Sequence, residues 1–131
     1  MTIERLNPDG MNKPGGYTHV VRARGGTAIY VAGQTPLDAD GNLVGEGDLE
    51  AQARKVFENV RDALVAVGAD FSHVAKMTTY IVGYQPEMLP AFRAVRESFV
   101  GAHLPASTLV GVAALALPGF LIEVEVTAVL D

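Results

Sequence analysis

Apolar and polar positions alternate with two different periods along this chain, and the change of period marks out its elements. "YTHVVRAR" (Tyr17–Arg24) and "TAIYVAGQ" (Thr27–Gln34) are rich in β-branched and aromatic residues and predict two strands. Gly25-Gly26 between them predicts a hairpin, because the favoured two-residue turns need positive φ. "DADGN" (Asp38–Asn42) predicts a second turn. The period then lengthens: Leu49, Ala53, Val56, Phe57, Val60, Leu64 and Val67 recur at the spacing of a single apolar helix stripe. Asp48 is placed to cap this helix, Glu50 suits its first turn, and Gly68 can end it.

"VAKMTTYIV" (Val74–Val82) predicts a strand. A second helix follows, with Pro86 near its start, an apolar row at Met88, Phe92, Val95 and Phe99, and Gly101 after it. "STLVGVAAL" and "FLIEVEVTAVL" predict two further strands, separated by Pro118-Gly119. The order ββαβαββ builds an α+β layer, a single sheet with two helices packed on one face. Ile122, Val124 and Val126 form the helix-facing side of the last strand. Glu123 and Glu125 then point the other way with Thr127. That second face is either solvated or buried against another subunit.

Composition narrows this picture. At 131 residues the chain is read as one domain, residues 1–131, and 49% hydrophobic residues suffice for a core. It has no cysteine, which excludes disulfides, thiol nucleophiles and thiolate metal sites. "MTIERLNPDG" has acids and a proline where a signal peptide has a basic and then an apolar segment. The longest apolar run, "LVGVAALALPGFLI", is broken by Gly and Pro. A soluble cytoplasmic protein with no membrane contact is expected. The net charge of −5 argues against nucleic acid as a partner.

Familiar catalytic signatures are missing. His19, His73 and His103 have no metal-ligand spacing, so no metal is expected. There is no G-x-S-x-G elbow, Walker loop or dinucleotide fingerprint, and "GEGDLE" reads as a turn. Polar residues at strand ends and turns remain: Tyr17, Gln34, Ser107, Thr108 and Glu123. Each also has an ordinary structural reading, so the residues alone leave the chemistry open.

Three stretches supply more. "GGYTHVVRARGGTAIYVAGQTPLDADGNLV", "AQARKVFENVRDALVAVGADFSHVAKMTTYIV" and "LPASTLVGVAALALPGFLIEVEVTAV" resemble the RidA/YjgF family over nearly the whole chain. The most specific pieces are G-Q-x-P (Gly33, Gln34, Pro36), the "AQ…NV" helix, L-P-A before the fourth predicted strand, and I-E-V-E in the last. The resemblance implies a chorismate-mutase-like subunit assembled as a homotrimer, with clefts at the subunit interfaces and the second sheet face at the trimer centre. In the family's deaminases an Arg just after P-A binds the carboxylate of a 2-imino acid or its enamine tautomer. That substrate is hydrolysed to a 2-keto acid and ammonia. A Glu on the last strand helps position the water, and no cofactor is implied.

Carried over by position, Tyr17 matches the cleft aromatic and Glu123 the carboxylate of the last strand. Three positions depart: Ser107, followed by Thr108, replaces the Arg; Ala32 replaces a Ser before G-Q; and Arg93 replaces an Asn on the second helix. An Arg–carboxylate bond contributes roughly 1.5–3 kcal/mol. Its loss therefore weakens imino-acid binding on the order of ten- to a hundred-fold.

Two readings follow. The first is a Rid-like hydrolytic deaminase, or related hydrolase, for a small imine, enamine or similar carbonyl metabolite, with Arg93 either a relocated cation or an ordinary solvated Arg of the helix face. The second is a non-catalytic trimer that binds a small metabolite or regulates. Ribonuclease activity, suggested for some relatives, fits poorly with an acidic chain lacking a basic stripe.

Overall fold

The computed structural model describes residues 1–131. Its strands are β1 (Thr2–Leu6), β2 (Val20–Arg24), β3 (Thr27–Gln34), β4 (Val74–Val82), β5 (Ala106–Val112) and β6 (Ile122–Leu130). Its helices are α1 (Leu49–Val65) and α2 (Leu89–Val100), with single 3-10 turns at Phe71–His73 and Pro86–Met88. A four-stranded mixed sheet runs in the order β3-β6-β4-β5. β6 is antiparallel to both neighbours, whereas β4 and β5 are parallel and joined through α2. Both helices pack on one face of this sheet, as the apolar pattern predicts.

The Asp48 carboxylate accepts the Ala51 amide at 3.1 Å and so caps α1. The α1 stripe is sealed: Ala53, Val56, Phe57, Val60 and Leu64 have no exposed surface. Val67 departs from the predicted stripe. The helix ends at Val65, and Val67 lies in the following turn with about half its surface exposed. Phe57 meets Phe71, Phe92 and Phe99 at centroid separations of 6.2, 6.2 and 5.5 Å, joining α1 to α2. Gln52 is a buried polar clamp. Its amide donates to the carbonyls of Gly45 (3.1 Å) and Gly119 (2.9 Å), and its oxygen accepts the Leu121 amide at 2.8 Å.

The N-terminal third differs from the expected hairpin. Gly25 and Gly26 do take positive φ, +71° and +75°. Yet β2 pairs with β1, a strand not anticipated from the sequence, and β3 pairs only with β6. The expected single sheet is thus accompanied by a two-stranded ribbon. The physical reason lies at Thr18, whose amide donates to Pro105 O at 3.0 Å and which bridges to Ala106. This contact ties the start of β2 to the β5 edge, at the opposite side of the sheet from β3. Gly26 meanwhile packs against Leu130 and Met1 at the β3–β6 end. The ribbon therefore crosses the end of the sheet, and its own ladder is reinforced by the Glu4–Arg22 ion pair. No helix is long and apolar enough to cross a membrane.

Candidate functional site

Ser107 pairs in register with Met77, and Met77 is fully buried under the helices. Ser107 and Leu109 therefore face the helix layer, while Thr108 and Val110 face the open side. α2 passes over Ser107, and the Gly15–Tyr17 segment closes the space from the β5 edge because Thr18 is tied to Pro105. A cavity of about 310 Å³ results, lined by Tyr17, Tyr84, Arg93, Arg96, Ser107 and Leu109 among others. No carboxylate lines it. The Tyr17 ring is oriented by an edge contact with His19 (5.4 Å between centroids), whose Nε2 lies 2.7 Å from Asn12 O.

Glycines admit the two guanidinium groups. A Cβ built on Gly15 would sit 3.0 Å from Arg93 Nη2, and one on Gly16 would overlap Arg96 Nη2. Gly16 also has φ +79°, a conformation that favours glycine. Arg96 is 5% exposed and lies over the Phe92 ring, 5.4 Å from its centroid. Burial, and then the charge of Arg93, push the Arg96 guanidinium below the usual arginine range, with Glu97 opposing.

The remaining expected site residues lie elsewhere. Glu123 pairs in register with Tyr80 on the open face, beside Glu125. The β3 strand bulges between Val31 and Gln34, which brings Ala32 and Gly33 past Glu123. A side chain on Gly33 would overlap Glu123 Oε1, so the close approach requires glycine there. Ala32 itself is exposed. Thr108 accepts a bond from Lys76 Nζ at 2.6 Å, and Tyr80 donates to Glu125 at 2.8 Å. That bond, followed by burial, raises the Tyr80 hydroxyl above its ordinary value of 10.0.

One chain thus unites Tyr17, Arg93 and Ser107, and separates them from Ala32, Thr108 and Glu123. Three larger grooves, two of about 480 Å³ and one of about 380 Å³, are lined by none of these residues. In the one beside α1, Asn59 Nδ2 is already committed to Thr35 O and Leu37 O, both at 3.0 Å. Arg96 is not among the residues that the sequence motifs single out. Its signal was its position four residues after Phe92, inside the apolar stripe of α2 rather than on the solvent side.

Fold and cavity define a small two-layer α+β protein with a cationic pocket at the parallel edge of its sheet. A family model described as Endoribonuclease L-PSP matches residues 10–130. The chain belongs to this family, the RidA/YjgF group of Rid proteins. It is 36% identical over 119 residues to protein DfrA of Myxococcus xanthus, covering 88% of this chain and 86% of the relative. It is 30% identical over 101 residues to a 2-iminobutanoate/2-iminopropanoate deaminase of Dermatophagoides farinae, covering 77% and 76%. The solved structure of YyfB from Yersinia pestis, a Rid protein of unknown function, superposes with a TM-score of 0.93. It is 38% identical and covers 99% of this chain and 100% of its own.

Proposed function

We propose that this protein is a hydrolytic deaminase of the Rid type, acting on a small imine or enamine in a cleft completed by a second copy of the chain. The observation that carries this reading is the convergence of Tyr17, Ser107 and Arg93 on one cavity of metabolite size. Arg93 stands beside Ser107, so a guanidinium remains in the pocket although the position after Pro105-Ala106 carries none. It can grip an anionic substrate group there.

Water must then add to the imine carbon, after which the C–N bond breaks and the nitrogen leaves as ammonia. The carboxylate suited to holding that water is Glu123, pinned against Gly33. Since Ser107 and Glu123 face opposite sides of one sheet, they can serve a common site only when two chains meet. This supports the homotrimer reading, with Ala32 and Glu123 of one copy facing the cavity of the next. The sheet face that would be covered carries Tyr30, now 81% exposed, and Val110, 38% exposed.

The test is imine decay. Generate 2-iminopropanoate enzymatically and follow keto-acid release with wild type, Glu123→Ala and Ser107→Arg. Acceleration by wild type that is lost in Glu123→Ala supports the reading. Decay at the buffer rate with every imine tried would leave a metabolite-binding trimer as the better account.

A further inference from the structure

Three nitrogens around this cavity lack acceptors: Arg93 Nε, Arg96 Nε and Arg96 Nη2. The proposal drawn from them rests on the reading of this cavity as the ligand site, and extends it to the kind of ligand. An arginine with nineteen-twentieths of its surface buried and two donors unmet is costly unless something anionic completes it. Arg93 and Arg96 are one turn apart on α2, so their head groups enter the cavity from the same wall. The acid acting on Arg96 from its own helix is Glu97, which is exposed and outside the cavity lining. Within the chain itself, the two positive charges therefore have no counterion lining the pocket.

We infer that Arg93 and Arg96 together form a receptor for a dianion, so that the ligand carries two negative charges, as two carboxylates or as one phosphate group. A single carboxylate carries one negative charge and leaves one of the two positive charges without a counterion from the pocket lining. A dianion neutralises both, and the fixed fork of each guanidinium suits two-oxygen contacts. Arg96 is preorganised for this by its seat on Phe92 and by Gly16 behind it. Tyr17 and Ser107 add hydroxyl donors on the facing side. Within the proposed hydrolysis, the two-carboxylate case corresponds to the imine of a 2-amino dicarboxylic acid. Its products are the keto diacid and ammonia, with no change of oxidation state.

Calorimetric titration of the full chain tests this at constant ionic strength, with succinate, inorganic phosphate and acetate as probes. Succinate or phosphate is expected to bind at least about ten-fold tighter than acetate. Which of the two is preferred tells separated carboxylates from a phosphate group. Arg96→Met keeps the stem packing and should remove that preference, Arg93→Met should do the same, and Arg96→Lys should retain part of it. Thermal melts of each variant show that the fold is intact. Equal binding of mono- and dianions by wild type would overturn the inference. So would an Arg96→Met protein that binds dianions normally but changes its assembly mass, which would make the pair a subunit contact. Dianion binding without hydrolysis of any imine would overturn the deaminase reading and leave this one standing. Hydrolysis of monocarboxylate imines with no dianion preference would do the reverse.

Discussion

Ser107 and Glu123 lie on opposite faces of the same four-stranded sheet, Ser107 in register with buried Met77 and Glu123 with Tyr80. No side-chain rotation brings them into one site within a chain. If both act, catalysis is a property of the assembly.

Mixing inactive variants tests this directly. Arg93→Ala and Glu123→Ala are each expected to be inactive alone. Unfolded together and refolded, they should recover about a quarter of wild-type activity, because random ring assembly leaves that fraction of interfaces with both groups intact. Recovery at the level of the separate variants would place the whole site in one chain.

Gly33→Ala separates the two halves of the site. The added methyl overlaps Glu123 Oε1 and must push the carboxylate away. Imine hydrolysis should fall about ten-fold or more, as when a positioned acid–base group is displaced. Anion binding at Arg93 and Arg96 should persist in calorimetry, since α2, Phe92 and Gly16 hold those guanidinium groups and Gly33 does not.

Gln52→Ala should destabilise the fold. It strands the Gly45 and Gly119 carbonyls and the Leu121 amide in a region where Gln52 has no exposed surface. A loss of about 2–4 kcal/mol in urea unfolding is expected. A change below about 0.5 kcal/mol would show that water takes over those bonds.

Acid should weaken the turn before β4. Asp70 accepts bonds from the Ser72 hydroxyl and then from its amide, which hold its carboxyl below the ordinary 3.8. The folded value is the lower one, so this stabilisation is complete above 3.8 and is lost as pH falls through the folded value. The stability gap between wild type and Asp70→Asn should therefore narrow between pH 7 and pH 3. A gap of constant size would assign Asp70 a hydrogen-bonding role without a charge component. Because this carboxyl is largely exposed, the effect is expected to be small.

The sequence by itself determined the two-layer architecture. Both helices, β4 and the inward face of β6 follow from periodicity, because burying one face of each element forces apolar residues to the period of that element. The resemblance to Rid proteins was equally legible, from short pieces such as Gly33-Gln34 and Pro105-Ala106 spread over nearly the whole chain. What periodicity does not encode is pairing between distant segments. The pairing of β2 with β1 rather than β3 goes with long-range contacts, among them Thr18 to Pro105, that no local pattern announces. The same contact closes the cavity. Arg96 was hidden for a related reason, since a charged residue at an apolar helix position is legible only once its neighbours are known. Tertiary structure alone put two uncompensated guanidinium groups in one pocket and left Glu123 on the far side of the sheet. The cause is steric: β5 and β6 have no freedom in which face each residue presents once their core residues are buried.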